Sequence, residues 1–223
     1  ALGARVVSIN DTPNGTNINE NAGSTSIESL RRLVLDKELD VGFAFDGDGD
    51  RCIAIDKSGE IIDGDKILYI LGKELRSQGA LKDDTIVTTV MSNLGLYRAL
   101  DEQVTKYEKT KVGDRFVYDC MSQNGYTLGG EQSGHIIISK YATTGDGILT
   151  ALLLCEAMVS NNKGLSELSR EVLLLPQLTT SINVRSKEEV LNNKMVLEEI
   201  KNAEKTIKNM GRIMVRASGT EPK

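Results

Sequence analysis

The sequence predicts an α/β protein made of two mixed α/β domains, the first of them partial, and a truncated small α+β C-terminal domain. Three observations predict this fold class. Val41–Phe45 is a run of small and apolar residues without polar alternation, which is typical of a strand buried on both faces. From residue 61 onward, strand-like and helix-periodic segments alternate along the chain. After Pro176, a polar helical segment lies between two short strand-like segments.

The sequence pattern of residues 1–60 predicts a strand, a helix and a second strand. Ala4–Ile9 has strand character, and a polar loop follows it. Thr25 and Glu28 have capping-box spacing, and apolar residues continue from there at helical spacing. Val41–Phe45 is the next strand. This order predicts a parallel βαβ unit, and such units bind ligands where the strand ends, here at residues 46–51.

Residues 61–172 predict a second alternating domain, with the boundary placed near Gly59. Asp63 precedes a helix that runs to Ser77 and stops at Gly79. The remaining segments follow in order: a strand at 85–90, a helix that Ser92 and Asn93 can cap and that runs to about 102, a strand at 105–110, a helix opened by 112–115, a strand at 136–139 and a helix from 145 to 160.

Residues 173–223 predict the last domain. Thr179–Val184 and Arg212–Val215 are its strand candidates. Ser186 and Glu189 have the spacing of another capping box, and a polar helix runs from there to about Met210.

Three carboxylates, Asp46, Asp48 and Asp50, follow the predicted strand at every second position. The glycines between them permit positive φ, so the loop can curl and aim the carboxylates inward. Clustered anions repel one another unless a cation lies among them, and oxygen ligands suit Mg²⁺. Arg51 adds a positive charge beside the cluster, which suits a phosphate that completes the coordination. The loop is therefore predicted to bind Mg²⁺ for phosphate chemistry.

This loop has three other possible interpretations. An EF-hand requires glycine at the sixth position and glutamate at the twelfth, where this chain has Arg51 and Lys57. A phosphatase of the haloacid dehalogenase type has an Asp-x-Asp-x-Thr/Val pattern without the aspartate found here at position 50. A solvated acidic turn is disfavoured because the preceding strand is so apolar.

Glu131-Gln-Ser-Gly-His135 predicts a loop that binds hydroxyl groups. Glu131 and Ser133 offer hydrogen bonds of the kind that vicinal sugar hydroxyls need. His135 is the one histidine of the chain, and histidine is the residue type that exchanges protons near neutrality. A polar hairpin turn with an incidental histidine is the alternative.

Arg216-Ala-Ser-Gly-Thr220 predicts a phosphate cradle. Arg216 supplies a guanidinium, Ser218 and Thr220 supply hydroxyls, and backbone N–H groups surround Gly219. The alternative is a tight turn that closes a domain. A metal loop, a hydroxyl-binding loop and a phosphate cradle together indicate phosphoryl transfer on a phosphosugar.

The three loops together resemble those of the α-D-phosphohexomutase family. Its metal loop is Asp-Gly-Asp-Gly/Ala-Asp-Arg, its sugar loop Gly-Glu-x-Ser-Gly-His and its phosphate loop Arg-x-Ser-Gly-Thr-Glu-Pro, and this chain has all three in that order. Residues 17–24, 89–96, 112–115 and 128–137 extend the resemblance to the bacterial subgroup that acts on glucosamine phosphates.

The resemblance implies interconversion of glucosamine 6-phosphate and glucosamine 1-phosphate through a phosphoserine and a bisphosphate intermediate, as a step toward amino-sugar nucleotides and cell-wall precursors. It also implies roles for individual residues: Mg²⁺ ligands Asp46, Asp48 and Asp50; catalytic residues Arg51 and His135; and substrate contacts Glu131, Ser133, Arg216, Ser218, Gly219 and Thr220.

The family has four domains around a cleft. By resemblance, residues 1–60 are the C-terminal part of domain 2 with the metal loop, residues 61–172 are domain 3 with the sugar loop, and residues 173–223 are a truncated domain 4 with the phosphate loop. The resemblance further implies a fragment of a longer enzyme. No segment here matches the family's N-terminal loop with the catalytic serine, so the chain alone is expected to be inactive.

The composition of the chain limits the classes of binding partner that we expect. The formal charge of −5, the absence of Trp and the lack of a Lys/Arg block argue against nucleic acid. Three scattered cysteines indicate reduced thiols and a cytoplasmic protein. No apolar run is long enough for a bilayer and no leader opens the chain, so no membrane partner is expected. A phosphosugar is the expected partner, and the oligomeric state stays open.

Three alternatives remain beside the main interpretation. One is a phosphomannomutase or phosphoglucomutase of the same family. Another is a Mg²⁺-dependent sugar-phosphate phosphatase. The third is a sugar-phosphate binding module without catalysis.

Overall fold

The computed structural model describes residues 3–217, and its first sheet consists of three antiparallel strands. The elements in chain order are α1 (Glu28–Asp36), β1 (Val41–Phe45), β2 (Cys52–Asp56) and β3 (Ile61–Ile62). β1 pairs with β2 along its whole length, and Phe45 lies opposite Cys52 at the end of the pair. Residues 46–51 are therefore the loop of a hairpin.

The parallel βαβ unit predicted for this region is wrong. The predicted unit joins Ala4–Ile9 to β1 through α1, but the described residues contain no strand before α1, and β1 pairs antiparallel with β2 instead. Ala4–Ile9, the predicted first strand, is exposed coil, because no strand of the described chain lies beside it to complete a ladder. Both faces of β1 are covered, as predicted, but unequally: Gly42 and Ala44 are buried, whereas Val41 and Phe43 are partly buried against the main core.

Helix α1 forms as its apolar spacing predicts, but the predicted capping box does not. Ile27 is the N-cap, with helical φ and ψ and no capping side chain, whereas a cap requires extended backbone at that residue. Packing of the apolar stripe stabilises the helix instead. Val34 is fully buried, and Gly42 of β1 lies so close that an added Cβ would be 2.6 Å from a methyl group of Val34. Burial, not the cap, holds α1 in place.

The second sheet has four strands in the order β5-β4-β6-β7. β4 runs parallel to β5 and β6, and β6 and β7 form an antiparallel hairpin. The mixed α/β fold is thus confirmed. The elements of this region are α2 (Gly64–Ser77), β4 (Thr85–Thr89), α3 (Leu94–Glu102), β5 (Lys106–Thr110), α4 (Asp114–Asn124), β6 (Leu128–Gly130), β7 (Ile136–Ile138), α5 (Gly147–Asn161) and α6 (Leu165–Leu168), with a short 3₁₀ helix at Lys82–Asp84.

The main core lies between α2, β4 and α5. All five residues of β4 are buried, and α2 is buried from Gly64 to Gly72. Gly72 allows α2 to approach the sheet, because a Cβ there would be 2.5 Å from Ile86 Cδ1. The largest fully buried side chains are Tyr69, Ile55, Ile62, Ile67, Leu68, Ile86, Leu96, Leu100, Met121, Leu128, Ile136 and Ile137.

Side-chain caps begin three helices of this region. Asp63 accepts a hydrogen bond from the Lys66 amide at α2, as predicted. Asn93 caps α3, also as predicted, by accepting a hydrogen bond from the Gly95 amide. Asp146 caps α5. These residue types satisfy backbone N–H groups that the first turn of a helix leaves without partners.

The described chain divides into two compact units between Leu175 and Pro176. The second unit contains α7 (Lys187–Leu191), α8 (Lys194–Ile207) and a 3₁₀ turn at Lys208–Met210. The Ser186 cap is confirmed, since its hydroxyl accepts from the Glu189 amide. The strands predicted at 179–184 and 212–215 are wrong, because both segments are coil without a strand partner in the described range.

Burial differs between the units as well. No residue of 176–217 whose exposure the structure describes is buried. Within the described residues, every helix is too short or too polar to cross a membrane.

Candidate functional site

The metal loop is held by its position between two paired strands. β1 and β2 fix its ends at Phe45 and Cys52, and the Gly49 amide donates to the Asp46 carbonyl within it. Gly49 has φ of +76°, as predicted, and this backbone conformation favours glycine. Gly47 is not at positive φ. Glycine is favoured there because a larger side chain would not fit: a Cβ would be 2.8 Å from Ile18 Cδ1.

The three predicted ligands come together. One carboxylate oxygen from each of Asp46, Asp48 and Asp50 lies within 4.8 Å of the others, with Asp48 exposed and its neighbours partly buried. Asp50 Oδ1 is buried and receives no hydrogen bond from the described protein. An unsatisfied buried carboxylate oxygen is costly unless something else binds it. These donors fit a hard divalent cation such as Mg²⁺.

Arg51 lies beside the carboxylates. Its amide donates to Asp46 Oδ1 at 3.1 Å, and its Nε is 3.7 Å from Asp46 Oδ2 and 4.0 Å from Asp50 Oδ1. The side chain is 42% exposed, although its Nε is buried and has no hydrogen-bond partner among the described residues. The guanidinium offsets part of the negative charge of the loop and can still reach an anionic ligand.

A crevice of about 410 Å³ opens next to the metal loop. It brings two carboxylates and a guanidinium together with hydroxyl and amide side chains from the preceding loop. Its lining residues are Ile18, Asn19, Ser24, Thr25, Asp46, Gly47, Asp48 and Arg51.

The predicted sugar loop is the hairpin between β6 and β7. Glu131 N–H donates to the His135 carbonyl, and Gly134 N–H donates to the Glu131 carbonyl, both at 3.0 Å. Gly134 has φ of +92°, so glycine is favoured at this turn. Glu131 Oε1 accepts from the Gly113 amide at 3.0 Å, and Ser133 is exposed.

The metal loop and the sugar loop are joined directly. Arg51 and His135 form an antiparallel bridge, and the Cys52 amide donates to the Gly134 carbonyl at 3.0 Å. Two motifs more than 80 residues apart in sequence therefore share one backbone framework. The predicted side chains of both motifs therefore lie on neighbouring loops of the fold.

His135 lies behind the carboxylates. It is 2% exposed, its Nδ1 is 2.8 Å from Asp50 Oδ2, and its Nε2 accepts a hydrogen bond of 3.0 Å from the Gly145 amide. Both ring nitrogens are thus bonded to protein groups.

The sequence analysis missed the support that Gly145 and Gly147 give to this site. The Gly147 amide donates to the Gly49 carbonyl at 2.9 Å. A Cβ at Gly145 would lie 2.8 Å from His135 ring atoms, and one at Gly147 would lie 2.5 Å from the Arg51 carbonyl oxygen. From the sequence, the Gly-Asp-Gly pattern of residues 145–147 predicts only the start of a helix. Its glycines in fact allow close packing under the metal loop.

Asp63 links α2 to the sugar loop. Its Oδ2 accepts from Gln132 Nε2 at 3.3 Å while its other oxygen caps the helix. Burial raises the pKa of the Asp63 carboxyl, and the hydrogen bonds from Lys66 and Gln132 act in the opposite direction. Gly64 extends the link, because its amide donates to the Gln132 carbonyl.

The predicted phosphate loop is only partly described. Arg216 is an exposed residue of the second unit. Ser218, Gly219 and Thr220 lie outside the described residues.

Comparison with known protein families gives two matches. Residues 63–174 match the phosphoglucomutase/phosphomannomutase α/β/α domain III. Residues 182–223 match the phosphoglucomutase/phosphomannomutase C-terminal domain.

Curated relatives match along nearly the whole chain. A phosphoglucosamine mutase of Lachnospira eligens is 54% identical over 222 residues, which are 100% of this chain and 49% of that protein. A phosphoglucosamine mutase of Bacillus subtilis is 50% identical over 221 residues, which are 99% of this chain and 49% of that protein. The chain thus spans about half the length of the curated relatives it matches.

Solved structures show the same fold at low sequence identity. A product complex of an N-acetylglucosamine-phosphate mutase, described as a member of the α-D-phosphohexomutase superfamily, has a TM-score of 0.73 at 19% identity and covers 92% of this chain and 48% of that chain. The Aspergillus fumigatus N-acetylphosphoglucosamine mutase in complex with GlcNAc-6P and magnesium has a TM-score of 0.72 at 19% identity, covering 90% of this chain and 51% of that chain.

Proposed function

Because the chain belongs to the α-D-phosphohexomutase family, we propose that it supplies the metal and sugar sites of a phosphoglucosamine mutase, which interconverts glucosamine 6-phosphate and glucosamine 1-phosphate. One observation carries this proposal. The three-carboxylate loop and the Glu131–His135 hairpin are joined by the Arg51–His135 bridge, so a metal-bound phosphoryl group and a sugar would meet at one site.

Asp46, Asp48 and Asp50 would hold the Mg²⁺. The supporting observations are their clustered oxygens and the buried Asp50 Oδ1 that lacks a protein donor. When bound, the ion neutralises charge on a phosphoryl group in transfer. The loop contributes rigidity, because strand pairing fixes both of its ends before any ligand arrives.

Arg51 would contact the phosphoryl group from the side of the loop. Its amide is already bonded to Asp46, so the backbone position is fixed while the guanidinium keeps access to solvent. A guanidinium binds phosphate oxygens with two parallel N–H donors, which positions the group as well as balancing its charge.

Glu131 and Ser133 would bind sugar hydroxyls. The Gly113 amide holds one oxygen of the Glu131 carboxylate, and a carboxylate has about four acceptor sites, so acceptor capacity remains for the sugar. The exposed Ser133 hydroxyl lies two residues further along the same turn.

We propose the phosphate contacts of Arg216, Ser218, Gly219 and Thr220 on the sequence motif alone. They would hold the phosphate that does not react. The supporting observation is that residues 182–223 match the C-terminal domain of the family.

The domain boundaries near residues 60 and 172 are likewise a proposal. Its support is that the first sheet ends at Ile62 and that the domain III match covers residues 63–174. The metal loop would then belong to one domain and the sugar loop to the next.

The first test measures Mg²⁺ binding to the chain by isothermal titration calorimetry. Asp48→Asn keeps the size of the side chain and removes its charge, and we expect its Mg²⁺ affinity to fall at least about tenfold, or about 1.4 kcal/mol. Asp36→Asn is the matched control, because Asp36 is an exposed aspartate at the end of α1. Equal affinity in the wild type and Asp48→Asn would contradict the metal site.

The second test measures turnover. The chain replaces the matching 221 residues of the Bacillus subtilis relative, and a coupled assay follows glucosamine 1-phosphate formation from glucosamine 6-phosphate. We expect the chimera to be active and Asp48→Asn to remove nearly all of this activity. Release of inorganic phosphate without isomer formation would favour the phosphatase alternative, and faster turnover of mannose or glucose phosphates would favour the other mutases of the family.

A further inference from the structure

We infer that Asn19, together with Ser24 and Thr25, forms a second wall of the metal site and donates hydrogen bonds to the oxygens of a phosphate monoester held there. These residues belong to a segment of coil, residues 17–25, which we call the outer loop. The inference rests on the proposed function, because the metal loop is what brings a phosphoryl group to this place. It goes further in assigning ligand contacts to residues that have no role in the proposed function.

The outer loop contains neither a helix nor a strand, but local hydrogen bonds fix the turn that leads into it. Asn14 Oδ1 accepts from the amides of Thr16 and Asn17, and Asn17 Oδ1 accepts from the Asn14 amide. The Glu20 amide then donates to the Asn17 carbonyl. Asn19 itself has φ of +60°, a conformation that asparagine adopts more readily than most residues. The Asn19 side chain therefore projects from a defined backbone.

The outer loop packs directly on the metal loop. An added Cβ at Gly47, which lies between two of the aspartates, would be 2.8 Å from Ile18 Cδ1 and 3.3 Å from Asn19 Nδ2. A Cβ at Gly23 would be 2.9 Å from Asn19 Oδ1. The Asn19 carboxamide thus reaches from one glycine to the other, with its nitrogen at the metal loop. This orientation is the favourable one, because an amide oxygen in that place would be repelled by the carboxylates.

The donors of Asn19, Ser24 and Thr25 are available to a ligand. All three residues line the crevice of about 410 Å³ beside the metal loop. Their side chains make no hydrogen bond to protein groups in the part of the chain that the structure describes. Asn14 and Asn17 differ in this respect, because the turn uses their carboxamides. The outer loop therefore turns its unused polar groups toward the crevice that holds the metal ligands.

The composition of the crevice suits a phosphate monoester. Such a group carries a charge of about −1.5 to −2 at neutral pH and three acceptor oxygens. An ion at the aspartates binds only part of this acceptor capacity. Of the described residues that line the crevice, only Arg51 is cationic, and its Nε is buried. Neutral N–H and O–H donors from the outer loop can bind the remaining oxygens, and hydrogen bonds to a charged acceptor are stronger than those between neutral groups.

The first experiment follows the side-chain amide of Asn19 by nitrogen NMR in the chain labelled with ¹⁵N-asparagine. The signal is assigned by its loss in Asn19→Gly and, independently, in Asn19→Asp. Inorganic phosphate is then titrated into the wild-type chain at saturating Mg²⁺. We expect the Asn19 signal to shift and to saturate with phosphate. Asn21 is the internal control, because it is exposed, has φ of +51° and does not line the crevice. An unmoved Asn19 signal, or an equal shift at Asn21, would overturn the inference.

The second experiment compares Asn19→Gly with Asn21→Gly. Glycine adopts positive φ without strain, so each variant removes a carboxamide and keeps the backbone. We expect phosphate affinity at saturating Mg²⁺ to fall about tenfold in Asn19→Gly and to stay within about twofold in Asn21→Gly. Affinity for Mg²⁺ alone should stay within about threefold of the wild type in both, because Asn19 binds the phosphate and not the ion. Equal phosphate affinity in the two variants would overturn the inference. A tenfold loss of Mg²⁺ affinity in Asn19→Gly would do so as well, since it would show a role in supporting the metal loop.

Two further ligands identify the source of the phosphate. O-phosphoserine and glucosamine 6-phosphate carry the same group on an amino acid and on a sugar, and the ligand whose affinity depends more on Asn19 is the one that the outer loop binds. Glucosamine without phosphate is the control, and a shift of the Asn19 signal equal to that with glucosamine 6-phosphate would overturn the inference. If the wild-type chain binds no Mg²⁺, the proposed function fails. The inference is then decided by whether phosphate alone moves the Asn19 signal.

Discussion

Asn93 and Asn193 cap helices in the two units of the chain, and their surroundings differ. Asn93 is 4% exposed; its Oδ1 accepts from the Gly95 and Leu175 amides, and its Nδ2 donates to the Leu175 carbonyl. Asn193 is exposed, and its Oδ1 accepts only from amides of its own helix, those of Met195 and Val196. The same residue type thus joins distant segments in one unit and begins a helix in the other.

This difference extends to the whole of each unit. In the first unit, buried strands and close glycine contacts hold the metal and sugar loops. In the second, α8 carries apolar residues at helical spacing, Val196, Ile200, Ala203 and Ile207, yet all of them are only partly buried. Amphipathic spacing is sufficient to form the helix, but most of the stability of a helix in a protein comes from packing of its apolar face.

The largest expected effect is in hydrogen exchange. Amides of β2 and β4 exchange only through global unfolding, whereas those of α8 exchange through local opening. We expect the strand amides to exchange at least about 10³-fold more slowly, as a global stability of about 5 kcal/mol or more implies. Mass spectrometry of peptides from the two regions measures the ratio. Similar protection in α8 would show that the second unit is as firmly held as the first.

Thiol chemistry should show the next largest effect. Burial in β2, with Cys155 nearby as the lesser cause, raises the pKa of the Cys52 thiol from the ordinary 9.0 to about 12. The thiolate fraction at pH 8 is therefore about a thousandfold lower, and alkylation should be slower by that factor. Met195→Cys in the exposed α8 is the control, and mass spectrometry measures both rates.

The same shift makes stability depend on alkaline pH. Because the folded pKa of Cys52 lies above the unfolded one, its contribution to stability is complete below about pH 9 and is lost as the pH rises toward about 12. Chemical unfolding at several alkaline pH values should show this loss, and Cys52→Ala should show less of it. Rapid alkylation of native Cys52 at pH 8 would contradict the prediction.

Glycine substitution tests close packing in the two units. In Gly64→Ala, the new Cβ would overlap the Glu131 carbonyl oxygen and lie 2.8 Å from the Gly134 amide nitrogen, so the hairpin must move. We expect the free energy of unfolding to fall by about 3 kcal/mol. In Gly211→Ala, the Cβ meets only a methyl group of Ile207 at 2.9 Å, and about 1 kcal/mol or less is expected. Urea unfolding measures the loss in each variant, and equal losses would contradict the expected difference in packing between the two units.

The smallest expected effect comes from the two asparagines themselves. Asn93→Ala removes a cap and takes the Asn93 partner from the part-buried N–H and C=O groups of Leu175, so we expect a loss of about 2 kcal/mol in the free energy of unfolding. Asn193→Ala removes an exposed cap and should cost about 0.5–1 kcal/mol. Thermal unfolding compares them. A larger loss for Asn193→Ala would reverse the comparison of the units.

The sequence was sufficient for features that depend on neighbouring residues. Asp63 and Asn93 cap their helices as predicted, and Asp46, Asp48 and Asp50 converge because their spacing and the Gly49 turn act locally. It was insufficient where the outcome depends on a partner distant in sequence. The coil at 179–184 has strand-type residues, but a strand also requires a neighbour to pair with.

The candidate site shows the same limit on what the sequence predicts. His135 lies in the loop between β6 and β7, but its ring nitrogens bond to Asp50, which lies 85 residues earlier, and to Gly145. Neither contact follows from residue type or spacing. The parallel unit predicted around β1 fails for a related reason, because Ala4–Ile9 has strand-type residues but no partner strand among the described residues, and β1 pairs with β2 instead.

The bridge between Arg51 and His135 has a consequence for how two ligands would affect each other. Because the loops share backbone hydrogen bonds, neither can shift without the other. Thermodynamic linkage is reciprocal: whatever factor an ion at the aspartates adds to affinity for a hydroxyl ligand, that ligand adds to affinity for the ion. A titration with the ion alone, or with the hydroxyl ligand alone, therefore does not measure the affinity that each has when the other is bound.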